Sequence, residues 1–266
     1  MRPANVVMVD QDGVVCGTDY NTTADVRTLT RLFQETGNLL VPNSDTPALR
    51  LQRNFDVFLG FRPDTVIAEG GAVVVSRGVA SHPANIRGVV AYRRALAGRF
   101  CSRGITVMIG DSATWIREGR LFPPGQRLLI IDGLRKQTVG FYLKAPDVNG
   151  VPVTDAGWSA EGFRMAEDLP LQRGLLPLDY NPKYGIAISN ATGVTKTTGY
   201  RVLRERYRQA EFFMIGDSDA DIIEDPAVTL CSVGNGSAKL KERAAFVANG
   251  TITAGLAECL SWVMER

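Results

Sequence analysis

Several residue types on which other enzyme classes depend are nearly absent from this sequence. The chain has a single histidine, His82, so a Ser-His-Asp triad has one candidate base and a site built from several histidines is excluded. Its four cysteines lie far apart without a Cys-x-x-Cys pair, which argues against a zinc site or a disulfide framework. If the chain is an enzyme, carboxylates and lysine must carry its chemistry.

Long apolar runs and an excess of one charge are also missing. Nothing approaches eighteen consecutive apolar residues, and the stretch VVMV after the N-terminal MRPAN is too short for the core of a signal peptide. Thirty basic residues against twenty-eight acidic ones leave a net charge of +2, far from the basic footprint of a nucleic-acid binder. We therefore expect a cytoplasmic protein without membrane or nucleic-acid partners, while the oligomeric state stays open.

The apolar residues that are present indicate an α/β fold. They make up 45% of the 266 residues, enough to bury the core of one large domain or two modest ones. Short runs rich in valine and isoleucine alternate with helix-like stretches and indicate buried parallel strands. These runs are 6–9, 38–42, 65–68, 211–215 and 228–233. The alternation predicts a doubly wound, mainly parallel, Rossmann-like core.

The middle of the chain has a different pattern, with many glycines and prolines. Its strand candidates are 105–109, 127–132 and 139–144. We interpret this region as a smaller α+β domain inserted into the first, with turn-rich linkers on both sides. The predicted core comprises residues 1–77 and 186–266, and the predicted inserted domain comprises residues 78–185.

Two aspartates close the first predicted strand. In VVMVDQDGVV, Asp10 ends the buried run and Asp12 follows, with Gly13 behind it. Ligands of open α/β sheets gather at the carboxyl ends of the strands, and two neighbouring carboxylates attract a hard cation or share a proton. An EF-hand loop is excluded because Val14 and Asn21 occupy two of its ligand positions. A plain Asp-Gly turn remains the alternative.

A second acidic segment follows a later predicted strand. In EFFMIGDSDADIIEDP the strand stops at Asp217, and Asp221 lies four residues further on, where a helix is predicted to begin. The two carboxylates can converge on a cation, directly or through water. Helix capping and the helix dipole explain acidic residues at a helix start equally well. The segment alone leaves both interpretations open.

Two more polar residues lie at the ends of predicted elements. Ser44 follows the strand NLLVP, and Lys196 begins the helix that carries Tyr200 and Leu203. A hydroxyl group and an ammonium group are suitable partners for a phosphoryl group. Each has an ordinary alternative, since serine is often an N-cap and a single lysine is usually solvated.

The order of these signals along the chain is more specific than any one of them. Asp-x-Asp-Gly, Ser, Lys and Gly-Asp-x-x-x-Asp resemble the four motifs of the haloacid-dehalogenase-like (HAD) phosphatases. AEGGAVV at 68–74 is similar to that family's Glu-Asn-Gly-Ala segment, and SVGNGSAKLKE at 232–242 to its Gly-Asn-Ala segment. About 150 residues separate Ser44 from Lys196. This spacing puts the inserted domain between the second and third motifs, as in the Cof-type and sugar-phosphate members.

The resemblance implies a Mg²⁺-dependent phosphatase that acts on a small phosphorylated metabolite. Asp10 matches the nucleophile that forms an aspartyl phosphate, and Asp12 matches the general acid and base. Ser44 and Lys196 match the phosphate-binding residues, with backbone amides near Gln11 and Asp45 completing that site. The implied metal ligands are Asp10, the backbone carbonyl of Asp12, Asp217 and, directly or through water, Asp221.

One further segment imitates the fourth motif. TVMIGDSATWIREG at 106–119 repeats the strand followed by Gly-Asp-Ser, with Asp111 in place of Asp217. Trp115 stands where the second aspartate is required, and the segment precedes the third motif instead of following it. We therefore interpret it as a strand and turn of the inserted domain.

Departures from the family pattern leave the substrate and some alternatives open. Ala220 and Gly70 stand where many relatives have asparagine, and Ser-Asp-Thr at 44–46 stands where Cof-type members often have Thr-Gly-Arg. The alternatives are a phosphotransferase or mutase on the same scaffold, a receiver-like signalling protein that accepts a phosphoryl group, and a catalytically silent binding protein. The large insertion and the Gly-Asp-x-x-x-Asp segment argue against the receiver.

Overall fold

The structure is a computed structural model that describes residues 3–17, 20–112, 115, 121–170 and 173–266. Among these residues the strands are β1 (Asn5–Val9), β2 (Leu39–Pro42), β3 (Thr65–Ala68), β4 (Val73–Ser76), β5 (Val79–Ser81), β6 (Thr106–Gly110), β7 (Leu128–Asp132), β8 (Val139–Pro146), β9 (Pro152–Val153), β10 (Asp179–Asn181), β11 (Ile186–Ser189), β12 (Glu211–Gly216), β13 (Val228–Ser232) and β14 (Phe246–Val247). The helices are α1 (Arg27–Glu35), α2 (Ala48–Leu59), α3 (Val89–Cys101), α4 (Ala156–Glu167), α5 (Lys196–Arg206), α6 (Ala238–Arg243) and α7 (Ile252–Met264).

The chain divides into two compact units. The first comprises Met1–Pro83 and Val194–Arg266, and the second comprises Ala84–Gly193. The sequence predicted boundaries at 77/78 and 185/186, earlier than those of the structure. The turn-forming residues of 76–83 and 177–185 suggested linkers, but these segments contain the short strands β5 and β10. Each strand pairs with its neighbour in the chain, β5 with β4 and β10 with β11, so the turn-forming residues make hairpins within the units instead of linkers between them.

The strand β11 belongs to the second unit and not to the predicted core, which began at residue 186. The predicted core included it, yet β11 pairs antiparallel with β8 of the second unit. The residues just after it stay with that unit as well, because Thr192 donates its N–H to the carbonyl of Gly174 and Leu176 donates to the carbonyl of Asn190. A strand of four residues carries a weak periodicity signal, so the partner sheet of β11 could not be read from the sequence.

A five-stranded parallel sheet in the order β14-β13-β12-β1-β2 forms the centre of the first unit. Alternate residues of β1 enter different cores. Val7 and Val9 pack in the core that includes residues of α1, α2 and α7. Val6 and Met8 pack in the core that includes residues of α5 and α6. Helices therefore cover both faces of a parallel sheet, and the predicted doubly wound α/β class is confirmed.

A small antiparallel sheet, β3-β4-β5, adjoins the carboxyl end of β2. Asn43 forms an isolated parallel bridge with Ile67, and the backbone N–H of Ser44 donates to the carbonyl of Ile67 at 3.1 Å. The one-turn 3₁₀ helix Glu69–Gly71 follows β3. These contacts hold the loop after β2 beside the turn after β3.

The second unit is built on a mixed sheet in the order β10-β11-β8-β7-β6, with β9 paired to β8. β6 and β7 are parallel, and the remaining pairs are antiparallel. α3 contributes Tyr92 and Phe100 to its core, and α4 contributes Trp158, against Leu129 and Phe141 of the sheet. This mixed arrangement agrees with the predicted α+β class.

The structure also bears on the two features that are scarce in the sequence, long apolar runs and cysteines. Among the described residues, no helix is long and apolar enough to cross a membrane. The four thiols are free, as expected; Cys16, Cys231 and Cys259 are buried, and Cys101 is exposed.

Candidate active site

Parallel pairing brings two of the predicted acidic residues together. Asp10 directly follows β1, and its backbone N–H donates to the carbonyl of Ile215 in β12 at 3.0 Å. Asp217 directly follows β12, so both carboxylates emerge at the same edge of the sheet. With Asp221 they form a group in which one carboxylate oxygen from each residue lies within 4.8 Å of the others.

A tight turn after β1 leaves room for the Asp217 carboxylate. The carbonyl of Gln11 accepts hydrogen bonds from the N–H groups of Val15 (2.8 Å) and Cys16 (3.1 Å). Gly13 in this turn has φ +83°, and a Cβ atom added there would lie 2.0 Å from Oδ2 of Asp217. Glycine is therefore required both for the backbone conformation and for the close approach of the carboxylate. Asn235 donates its side-chain N–H to the Gly13 carbonyl at 2.9 Å.

Lys196 reaches the acidic group from the first residue of α5. Two glycines let the start of this helix pack closely against β3 and the turn that follows it. A Cβ atom on Gly71 would lie 2.1 Å from the carbonyl oxygen of Thr195, and one on Gly199 would lie 2.2 Å from Cγ2 of Ile67. The AEGG segment noted in the sequence thus supports the position of Lys196.

The ammonium group of Lys196 forms two buried ion pairs. Nζ lies 2.9 Å from Oδ1 of Asp10 and 2.5 Å from Oδ1 of Asp221. A cation in the first turn of a helix is opposed by the helix dipole, and these carboxylates offset that cost. Burial lowers the pKa of Lys196, but Asp10 and Asp221 raise it more, so its pKa lies above the ordinary range. Lys196 is therefore charged in this setting.

Asp221 has the capping role that the sequence left open, although it caps the one-turn 3₁₀ helix Asp219–Asp221 where the sequence predicted the start of a longer helix. Its Oδ2 accepts hydrogen bonds from the N–H of Asp217 (3.0 Å) and from the N–H and hydroxyl of Ser218 (both 2.9 Å), which is a helix-capping arrangement. Its Oδ1 pairs with Lys196. Three donors thus bind Oδ2 and one binds Oδ1, which leaves Oδ1 a further acceptor position. In this arrangement it orients Lys196 and the turn at 217–218.

The electrostatics of the group favour an added cation. Burial raises the pKa of Asp10 well above its ordinary value, with Asp221 and Asp12 adding to the shift and Lys196 opposing it. Burial and the charge of Asp221 raise the pKa of Asp217 to about 6. One lysine does not balance three carboxylates, and an all-oxygen donor set is what a hard divalent cation such as Mg²⁺ prefers. The residues present therefore fit the implied metal.

Asp12 lies apart from this group of three. Its side chain reaches solvent and accepts a hydrogen bond from Nε2 of Gln11 at 3.1 Å. Nearby protein atoms exclude enough water from the carboxylate to raise its pKa, and the hydrogen bond from Gln11 opposes that shift. Of Asp12, the resemblance implied only the backbone carbonyl as a metal ligand, so a separate carboxylate agrees with that expectation.

Ser44 and Asp45 lie in the loop after β2, next to β1 in the sheet. Ser44 is buried, and its hydroxyl oxygen accepts the N–H of Thr46 at 3.3 Å. Asp45 is exposed, and its carboxylate packs against Gly70, where an added Cβ would lie 2.6 Å from Oδ1. Gly70 also has φ +65°. The glycine that replaces the family's usual asparagine thus makes room for Asp45.

The sequence reasoning did not identify two buried amides beside the site. The side chains of Gln11 and Asn54 are joined by a hydrogen bond of 2.8 Å, and each residue is 1% exposed. A signal for Asn54 was present: it lies on the buried face of α2 with Leu51 and Phe55, where an apolar residue is the usual choice. A signal for Gln11 was its polar side chain between two aspartates at the end of a buried strand.

Comparison with known proteins identifies the fold. No protein-family model matches the chain, and no curated protein does. Solved structures match almost its whole length. A phosphatase of the haloalkanoate (HAD) enzyme superfamily from Bacteroides thetaiotaomicron is 20% identical, with 98% of this chain and 95% of that chain covered and a TM-score of 0.60. A HAD/COF-like hydrolase from Plasmodium vivax is 13% identical, with 99% and 96% covered and a TM-score of 0.62.

A third solved structure extends this likeness. A trehalose-6-phosphate phosphatase related protein is 15% identical, with 98% of this chain and 97% of that chain covered and a TM-score of 0.54. At such identities the likeness concerns the fold, and the resemblance noted in the sequence is confirmed at that level. The chain has the fold of the HAD-like phosphatases and hydrolases.

Proposed function

We propose that this protein is a Mg²⁺-dependent phosphatase that hydrolyses a small phosphorylated metabolite through an aspartyl phosphate on Asp10. The observation that carries the proposal is the position of the Asp10 carboxylate, at a strand end, within 4.8 Å of Asp217 and Asp221 and in contact with Lys196. A carboxylate with a charged lysine and further acidic groups beside it is equipped to meet an anionic phosphate when a cation is bound.

The metal ligands in this proposal are Asp10, the backbone carbonyl of Asp12, and Asp217. Asp221 contributes to the same site, directly or through water, while its oxygens also receive Lys196 and the turn at 217–218. Bound Mg²⁺ supplies positive charge that offsets the repulsion between carboxylate and phosphate and stabilises phosphoryl oxygens during transfer.

The side chains have distinct tasks in the reaction. An oxygen of Asp10 attacks phosphorus, and Asp12 gives a proton to the leaving oxygen of the substrate. Asp12 then takes a proton from the water molecule that attacks the phospho-aspartate, which releases phosphate and restores both carboxyl groups. Lys196 holds Asp10 in place and contributes charge to the transferred group. Ser44, and a backbone N–H beside Asp45, complete the phosphate contacts.

The substrate class is a small phosphate monoester, and sugar phosphates are our first candidates. The similarity to a protein named as related to trehalose-6-phosphate phosphatase supports this choice. A cytoplasmic location and the absence of nucleic-acid and membrane partners stay predictions. Transfer of the phosphoryl group to a second sugar remains the main alternative, because Asp12 serves either acceptor.

Asp10→Asn tests the proposal most directly. The wild type is expected to release phosphate from 4-nitrophenyl phosphate with Mg²⁺ and to lose this activity with a chelator, whereas Asp10→Asn should show no turnover because the amide is a poor nucleophile. Asp56→Asn, on an exposed position of α2, is the control that should keep wild-type activity. A wild type that releases no phosphate, or an active Asp10→Asn, contradicts the proposal. A phosphorylated second sugar as the main product identifies a transferase.

A further inference from the structure

Three polar side chains form a continuous row from α2 to the site. Nδ2 of Asn54 donates to Oε1 of Gln11 at 2.8 Å, and Nε2 of Gln11 donates to Oδ1 of Asp12 at 3.1 Å. Asn54 and Gln11 are buried in the first unit, whereas Asp12 reaches solvent. Burying an amide is unfavourable unless it is hydrogen-bonded. The two hydrogen bonds of the row therefore offset the cost of burying the amides of Gln11 and Asn54.

The direction of the row follows from which atoms can donate. Oδ1 of Asp12 accepts a hydrogen bond both in the ionised carboxylate and in the acid that carries its proton on Oδ2, so Gln11 faces it with its NH₂ group. The carbonyl oxygen of Gln11 then faces Asn54, which must present its own NH₂ group. Asn54 thus selects the orientation of the Gln11 amide, and Gln11 presents a donor to the acid.

We infer that Gln11 and Asn54 are positioning residues for the Asp12 carboxyl group. This inference rests on the proposed function, in which Asp12 protonates the leaving oxygen. The side-chain NH₂ group of Gln11 donates to Oδ1 of Asp12. The proton of the neutral acid is therefore carried by Oδ2 of Asp12, the oxygen that lacks this donor. The side-chain torsions of Asp12 are restrained by the same bond, which keeps the O–H of Oδ2 in one direction.

The transfer can be written atom by atom. As an oxygen of Asp10 forms its bond to phosphorus, the bond from phosphorus to the leaving oxygen breaks with its electron pair, and that oxygen takes the proton from Oδ2 of Asp12. In the second step the oxygen of a water molecule bonds to phosphorus, the bond from phosphorus to Asp10 breaks, and Oδ2 takes the proton of the water. Gln11 keeps its hydrogen bond to Oδ1 throughout.

A purely structural role for the amide pair makes a different prediction. Gln11 and Asn54 also join α2 to the turn after β1, so their loss could simply loosen the site. Loosening lowers the reaction of every substrate by a similar factor. A misplaced acid, in contrast, slows substrates with a poor leaving group and spares those whose leaving group needs no proton.

The test compares two substrates in the full-length protein with Mg²⁺. Phenyl phosphate has a poor leaving group and 2,4-dinitrophenyl phosphate has a good one. The measured quantity is kcat/KM, which covers the reaction up to transfer of the phosphoryl group to Asp10. For Gln11→Met, which keeps the length of the side chain without its donor, we expect kcat/KM to fall about 30-fold on phenyl phosphate and less than about threefold on the dinitrophenyl ester.

Asn54 provides a second, independent variant pair. Asn54→Asp has nearly the original shape but no donor, so the Gln11 amide turns its NH₂ group to the introduced carboxylate and presents its oxygen to Asp12. Asn54→Leu imposes no such reversal. We expect the ratio of kcat/KM between the two esters to change more in Asn54→Asp than in Asn54→Leu, and this ratio does not depend on the fraction of protein that is folded.

Each outcome has a definite meaning. Selective loss on phenyl phosphate in Gln11→Met, or in Asn54→Asp if Gln11→Met does not fold, supports the inference. Equal loss on both esters in the variants overturns it and leaves the phosphatase proposal intact. If the wild type releases phosphate from neither ester, the proposed function fails and this inference fails with it.

Discussion

The strands β12 and β6, one in each unit, both run into the sequence Gly-Asp-Ser, at 216–218 and 110–112. Each is parallel to a neighbouring strand, β1 for the former and β7 for the latter. Four residues after the first aspartate, Asp221 binds Lys196 and caps the turn. Four residues after the second stands Trp115, whose ring lies so close to Gly110 that a Cβ there would be 2.3 Å away. The same three residues therefore lead to an ionic turn in one unit and an aromatic contact in the other.

The neighbouring strands differ in the same way. β1 is followed by Asp10, which shares Lys196 with Asp221. β7 ends in Asp132, which lies opposite Gly110 in the register and has its own buried partner, with Nε of Arg135 3.7 Å from Oδ2. In the first unit, Lys196 thus lies among more carboxylates than its single charge can balance. In the second unit, Asp132 is paired with Arg135. The surroundings of the tripeptide decide whether it can form a metal site.

The largest effect we expect separates the two tripeptides directly. Asp217→Asn removes a proposed metal ligand, so Mg²⁺-dependent kcat/KM for 4-nitrophenyl phosphate should fall at least about 10³-fold, about 4 kcal/mol. Asp111→Asn, at the equivalent position of the second unit, should change it less than about twofold. Mg²⁺ binding measured by calorimetry should weaken only in Asp217→Asn. Equal losses in both variants would show that the two turns do not differ as described.

A second pair of variants compares two buried basic side chains, Lys196 in the first unit and Arg135 in the second. Lys196→Met removes the buried cation that Asp10 and Asp221 share, and Arg135→Met removes the buried cation beside Asp132. Removing one member of a buried ion pair typically costs about 3 kcal/mol, so both variants should unfold more easily when metal is absent.

Added Mg²⁺ should distinguish these variants. We expect it to restore part of the thermal stability of Lys196→Met, because the ion binds the remaining carboxylates in the folded state. Arg135→Met should show no more Mg²⁺ stabilisation than the wild type. Denaturation followed by circular dichroism, with and without Mg²⁺, measures both effects. Failure of Mg²⁺ to stabilise Lys196→Met would argue against a cation site at Asp10 and Asp217.

Two glycines with the same backbone conformation, only one of which contacts Asp217, allow a third comparison. Gly13 and Gly37 both have φ +83°, but a Cβ at Gly13 would lie 2.0 Å from the Asp217 carboxylate, whereas one at Gly37 would meet nothing within 4 Å. Either substitution to alanine strains the backbone by about 1 kcal/mol. Gly13→Ala must also displace the carboxylate, so we expect Mg²⁺ affinity to fall about tenfold by calorimetry, with no change in Gly37→Ala. Unchanged affinity in Gly13→Ala would mean that the carboxylate can move without loss.

The sequence was informative where a local pattern has one structural meaning. Apolar runs identified β1, β2, β3, β12 and β13, and aspartates just after two of them were expected at one sheet edge because parallel strands share that edge. The order of motifs then identified the fold. The roles of these residues stay predictions, although the structure brings Asp10, Lys196, Asp217 and Asp221 together.

The sequence was uninformative where two distant segments decide the outcome. The contact between Gln11 and Asn54 joins residues 43 positions apart, and no periodicity indicates it. The capping interpretation of Asp221 is confirmed and its cation-binding interpretation stays a prediction, while the ion pair with Lys196, 25 positions away, has no local signal in the sequence. The pairing of β11 with β8 is a further case, because Ile186 lies opposite Tyr142, 44 positions away.

The smallest effect concerns pH. Burial and Asp221 raise the pKa of Asp217 to about 6, so between its ordinary pKa of 3.8 and that value the metal-free folded state binds more protons than the unfolded state. The contribution of Asp217 to stability therefore decreases as the pH rises through this window. Protons compete with Mg²⁺ in the same window, and Mg²⁺ affinity should fall by up to about tenfold for each unit of pH below 6. Asp111→Asn should keep this dependence of Mg²⁺ affinity on pH, and Asp217→Asn should weaken it. Only Asp217→Asn removes a carboxyl group whose proton the metal must displace.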